Sequence, residues 1–227
     1  MDAQTLLAAY ALHTRRYGDS SLIAELLTRE QGRVVCMVRG ALRAGRSGNR
    51  VDAFQPLLVE LRGRGEMLTL THSESGGVVT QLQGRNLYCG LYLNELLLRL
   101  TARQDACPEL FDDYATAIQA LADGLPPEPT LRRFEIRMLS TLGLGVTLEQ
   151  DSGGQPISID RSYTYEVDCG AAPTAIGSPG SISGRTLVAL QSGTFDDATL
   201  KQARELMRRI IDYHLGGRPL RSRELFR

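Results

Sequence analysis

For its first 75 or so residues the chain alternates between apolar and polar side chains, in short runs cut by turns, and beyond Gly84 it stops doing so. Side chains of a strand point to opposite faces in turn, so "PLLVELR" (56–62) sets Leu57, Val59 and Leu61 on one face and Leu58, Glu60 and Arg62 on the other. "LLAAYALHT", "SLIAELLT", "RVVCMVR" and "EMLTLTH" are further runs of this kind, broken at Tyr17-Gly18-Asp19-Ser20 and at Gln31-Gly32. Five short strands, with the longest connection between the third and fourth, fit a small closed barrel. The OB-fold is the commonest such solution, and its 3–4 connection is often helical. The predicted fold class is α+β in two domains. An OB-fold barrel covers 1–80, and a mostly α-helical domain with a small irregular β insertion covers 81–227.

The second stretch has helical spacing. In "NLYCGLYLNELLLRL", Leu93, Leu96, Leu97 and Leu100 fall on one stripe. "CPELFDDYATAIQALADG" carries proline near its first turn and aligns Phe111, Tyr114, Ile118 and Leu121. "PPEP" (126–129) is expected to break the chain, leaving Thr130 to cap "LRRFEIRMLSTLG". Residues 150–184 are rich in Gly, Ser and Pro, with one alternating piece, "SYTYEVD". A last helix is expected over "DDATLKQARELMRRIIDYHL", before Gly216-Gly217.

Charge is balanced in total and uneven in place. Lys plus Arg and Asp plus Glu each number 26. Yet seven arginines face two acids between Arg33 and Arg64, and one arginine faces six acids between Thr101 and Thr130. Such asymmetry concerns partners more than fold. "RGALRAGRSGNR" places Arg39, Arg43, Arg46 and Arg50 in the 3–4 connection with no acid. An OB-fold takes nucleic acid on strands 2–3 and between the 1–2 and 4–5 loops. The expected 1–2 loop holds Arg15, Arg16 and Tyr17, the 2–3 turn holds Arg33, and the 4–5 loop holds Arg62 and Arg64. These arginines form the candidate nucleic-acid site; ordinary solvated loops are the plainer alternative. With only Tyr17 and Phe54 nearby, phosphate contact is expected to outweigh base stacking.

Other chemistry is hard to find. No P-loop and no dinucleotide fingerprint occurs, since Gly143-Leu144-Gly145 follows a helical pattern and not a strand. His13, His72 and His214 have no neighbours at ligand spacing. Cys36, Cys89, Cys107 and Cys169 lie far apart and read as reduced thiols, so no metal and no cofactor is expected. "YGDSSL" and "DYH" resemble fragments of a GDS-type hydrolase site. However, Asp212 and His214 are two apart on a helix and point away from each other, so no enzyme is expected. No run approaches ~20 apolar residues, and an acid stands where a signal peptide has basic residues. A cytoplasmic, nucleoid-associated protein without membrane contact is expected.

The ordered set "LHTRRYGDSSLIAELLTREQGRV", "FQPLLVELRGRGEMLTLTHSE", "GLYLNELLLRL", "PEPTLRRFEIRMLSTLGLGV" and "LGGRPLRSRELFR" resembles the RecO family of bacterial recombination mediators, over nearly the whole chain. The resemblance implies an N-terminal OB-fold and a helical C-terminal domain. It also implies binding and annealing of single-stranded DNA, with duplex DNA as a further ligand. The implied partners are the acidic C-terminal tail of single-stranded DNA-binding protein, RecR, and RecA indirectly. An adaptor without DNA binding is the alternative. Some members carry a four-cysteine zinc module; here only Cys169 remains in that region, so no zinc is expected. Many members also continue past this chain's "SRELFR", so a basic tail is expected to be missing. For the tail partner, Arg132, Arg133 and Phe134 on one helix and Arg204, Met207 and Arg208 on another are the candidates, as cations beside an apolar groove.

Overall fold

A computed structural model describes residues 6–42, 50–78 and 81–226. The alternating half forms β1 (Leu7–Tyr17), β2 (Ser21–Thr28), β3 (Gly32–Val38), β4 (Leu57–Arg62) and β5 (Met67–Ser75). They close into a barrel in the order β1-β2-β3-β5-β4, with β3 and β5 parallel and β4 returning to β1. The expected OB-type barrel is therefore present. Its interior mixes small and large side chains: Ala9, Ala11 and Ala24 leave room for Leu26, Val34, Cys36, Val59 and Leu70. No described part of the 3–4 connection is helical.

β1 departs from regularity once. Ala11 pairs with Leu26 and His13 with Glu25, so Leu12 is an extra residue, a β-bulge. The bulge leaves the Leu12 carbonyl without a ladder partner on β2. Helix α1 (Gly84–Leu100) supplies one, as the buried Asn94 donates from Nδ2 to that oxygen at 2.9 Å. Asn94 Oδ1 in turn accepts from the Tyr114 hydroxyl of α2 (Pro108–Ala122) at 2.6 Å. Burial holds the Tyr114 phenol well above its ordinary pKa, so it remains the donor. Tyr10 packs against both Phe111 and Tyr114, which completes the seam between β1 and α2.

Residues up to Gly124, together with Leu220 onward, form one compact unit. Its last element is a 3-10 helix, Arg221–Phe226. The Glu95 carboxylate accepts from the Arg221 and Ser222 amides at 3.1 and 2.8 Å and from the Ser222 hydroxyl at 2.7 Å. Burial pushes the Glu95 pKa up, but those donors and Arg99 outweigh it and the net shift is downward. The carboxylate thus caps this end of the chain as an anion.

Leu125–Pro219 form the second unit. It contains α3 (Pro127–Thr141), a sheet of β6 (Ser162–Glu166), β7 (Gly170–Thr174) and β8 (Ile182–Ser183), then α4 (Gly184–Ser192) and α5 (Asp197–His214). Two expectations are corrected here. Of "PPEP", only Pro126 stays outside α3, as its N-cap, and Pro127-Glu128-Pro129 begin the first turn. Pro127 and Pro129 sit where a missing N–H costs nothing, and Thr130 lies inside the helix with its hydroxyl on the Pro126 carbonyl at 3.0 Å. The sequence reading also passed over α4, which Ser183 caps through the Thr186 amide and Gly193 ends in a left-handed conformation.

Candidate nucleic-acid interface

The ladders show which arginines share a face. Ala24 and Cys36 are core residues in register with Thr14, so the row Thr14–Ala24–Cys36 points inward. The next row, Arg15–Ile23–Met37, therefore points outward. Arg16–Leu22–Val38 points inward again at the open end of the barrel, and Tyr17–Ser21 outward. Arg15, Arg16 and Tyr17 were expected in the 1–2 loop. They belong instead to the end of β1, and the turn is only Gly18, Asp19 and Ser20. The Leu42 amide donates to the Ser20 carbonyl at 3.1 Å, which ties the start of the 3–4 connection, just after Arg39, to this turn.

The arginines have unlike fates. Arg33 lies in β3 and not in a turn, and its guanidinium is enclosed. It bonds Glu25 at 2.6 Å, the Thr101 carbonyl at 2.8 Å and the Thr101 hydroxyl at 3.2 Å. That set of partners makes it a fastener between the barrel and the α1–α2 loop. Gln104 of the same loop donates its amide to the Arg33 carbonyl at 2.9 Å. Arg62 is exposed but pairs with Glu60 at 2.7 Å, and Arg50 pairs with Asp52 at 2.9 Å while 85% exposed. Arg29, absent from the expected set, makes a two-pronged bond to Asp112 and so neutralises part of the acidic stretch. Arg15, Arg16, Arg39 and Arg64 are exposed and have no anionic partner among the described residues. Arg43 and Arg46 lie outside the described residues.

In the second unit the candidate groove residues separate in the same way. Phe134 and Met207 are buried core side chains and offer no open surface. Arg132 is buried against Glu135, one turn along α3, in a salt bridge. Arg133 is exposed and donates to the Gly193 carbonyl at 2.8 Å; Arg204 is exposed; Arg208 lies 3.9 Å from Asp212. Arg209, which the sequence did not single out, donates to the Tyr165 carbonyl at 2.7 Å.

Around Asp151 and Cys169, where the resemblance raised a zinc module, the chain is held by its own groups. Asp151 is buried, and its Oδ1 accepts from the Gly153 and Gln155 amides at 2.9 and 3.0 Å. A carboxylate thus closes the "DSGGQ" turn. Cys169 is exposed, and among the described residues no cluster of His, Cys, Asp and Glu is arranged to hold a metal ion. Cys36 is buried in the barrel, and its thiol is pushed up to about 12 by burial, so it is a poor ligand. These residues do not fit zinc. Elemental analysis of the purified protein is expected to find well below one zinc per chain; a stoichiometric amount would refute this.

Gly18-Asp19-Ser20 forms the β1–β2 turn, and Asp212 and His214 lie on α5. No described helix is long and apolar enough to cross a membrane.

Two family models match the chain: "Recombination protein O N terminal" over residues 1–76 and "Recombination protein O C terminal" over residues 81–224. Among curated proteins, the chain is 44% identical over 223 residues to the DNA repair protein RecO of Methylococcus capsulatus, covering 96% of this chain and 91% of that one. It is 42% identical over 228 residues to that of Pseudomonas putida (strain GB-1), covering 100% and 99%. It is 42% identical over 224 residues to that of Halorhodospira halophila, covering 96% and 95%.

Proposed function

The chain belongs to the RecO family of DNA repair and recombination proteins, and on that footing we propose that its barrel binds single-stranded DNA and anneals complementary strands. The observation that carries this reading is the unequal treatment of the arginines. Glu25, Glu60, Asp52 and Asp112 each engage an arginine, whereas Arg15, Arg16, Arg39 and Arg64 stand exposed without an anion among the described residues. Guanidinium groups left over in a chain of zero net charge favour an external polyanion, and phosphates meet that need with two-pronged bonds. The family further supports a role as a mediator that engages the tail of single-stranded DNA-binding protein and, with RecR, promotes RecA loading. For the tail we retain Arg133, Arg204 and Arg208, since Arg132, Phe134 and Met207 are interior.

Binding should weaken steeply with salt. If about four phosphates are neutralised, log K against log salt should slope near −3, from roughly −0.7 per contact on single strands. A variant with Arg15→Gln and Arg39→Gln should bring the slope to about −1.5, measured by anisotropy of a labelled oligonucleotide. An unchanged slope would move the DNA contact elsewhere. No binding even at low salt would favour an adaptor that meets only proteins.

A further inference from the structure

The part of the chain up to residue 80 contains three residues of the Phe, Tyr and Trp class: Tyr10, Tyr17 and Phe54. Tyr10 is buried against α2, and Phe54 is buried beneath α1, where Gly90 admits it. Tyr17 is 51% exposed. Its partner across the ladder is Ser21, whose short side chain cannot cover a ring, and it shares the outward face with Arg15 two residues earlier. In the next row of that face Ile23 is buried and Met37 half-buried, so the exposed members there are Arg15 and Tyr17. Gly18 follows with φ +62 and nothing within 4 Å of where a Cβ would lie, so the chain turns there in open space. Arg39 comes immediately after Val38, whose ladder partner Leu22 adjoins Ser21.

A large apolar ring left in water between guanidinium groups is poorly explained by stability. It suits a ligand that offers flat aromatic faces and phosphates together. Bases of a single strand have free faces, whereas those of a duplex are stacked on each other. We propose that Tyr17 is a base-stacking residue that gives this surface its preference for single strands over duplex. This rests on the nucleic-acid reading above and adds to it a specificity residue that carries no charge.

The chain has no tryptophan. Tyr17→Trp therefore introduces a single indole at the site, and its emission should be quenched on titration with an oligothymidine and stay nearly constant with a duplex of equal length. Tyr17→Ala should lose about tenfold in affinity for the oligothymidine, within the roughly 5- to 150-fold span expected for one stacked base. Its duplex affinity and its salt slope should match the parent, and Tyr17→Phe should bind within about twofold of it. Circular dichroism on each variant controls for folding. Single-strand binding by Tyr17→Ala as tight as the parent would overturn the inference. So would an equal loss on single strands and duplex. A parent protein that bound neither ligand would overturn the nucleic-acid reading itself, and this inference with it.

Discussion

Arg132→Ala is expected to lower stability by about 3–5 kcal/mol, a large share of the 5–15 kcal/mol that a domain usually has. The guanidinium side chain is 8% exposed and the Glu135 carboxylate 0%, so truncation takes the Arg132 cation away from an interior carboxylate. Removing both charges is a different experiment. Arg132→Met with Glu135→Leu should be close to neutral or mildly stabilising, because desolvating two ions offsets most of their attraction. Urea denaturation of the single and double variants tests this. A single variant within about 1 kcal/mol of the parent would show that the pair is solvated. The result also bears on the proposed tail site, since Arg132→Glu would unfold the second unit and lose any partner binding whether or not a partner touches it.

Gly32→Ala should be the most damaging small substitution in the barrel. Gly32 sits at φ +67, and a Cβ there would lie 2.0 Å from the Asp105 carbonyl oxygen. The conformation alone costs an L-residue about 1–2 kcal/mol, and forcing the α1–α2 loop away adds about 1–3 kcal/mol. Gly18→Ala is the natural control, because Gly18 has nearly the same φ but open space around it. Its loss should be confined to the first of these terms, and equal losses in thermal melts of the two variants would refute the steric account. The comparison matters because the loop that Gly32 admits also holds Arg33 on Thr101 and Gln104 on Gly65.

Local pattern carried most of the fold. Alternation revealed five strands and spacing revealed four helices, since each signal lies within a few residues. The misreadings came where one residue type serves two purposes. The prolines of "PPEP" break a helix interior but begin a helix equally well, and only the partners of the preceding carbonyls decide. The short run "LVAL" in α4 lies in a Gly- and Ser-rich setting that hid its capping serine. The site was less legible for a different reason. Arg33 and Arg15 look alike in the sequence, and what separates them is Thr101, 68 positions from Arg33. Nor does an i,i+3 spacing say whether a salt bridge such as Arg132–Glu135 is on the surface or inside.

The extra residue in β1 has an effect out of proportion to its size. Before Leu12 the odd-numbered side chains, Ala9 and Ala11, fill the barrel, and the even-numbered Tyr10 and Leu12 lie beneath the helices. After it the parity reverses: Thr14 and Arg16 turn inward, and His13, Arg15 and Tyr17 turn out. One strand thus keeps two reading frames, one for packing helices on its outer face and one for presenting Arg15 and Tyr17 there. Deleting Leu12 would turn β1 into a regular strand in which His13 follows Ala11 on the opposite face, so Arg15 and Tyr17 would stay outward while the carbonyl that Asn94 holds would be lost. The one-residue insertion thus lets a single outer face meet Asn94 of α1 at one end and carry Arg15 and Tyr17 at the other.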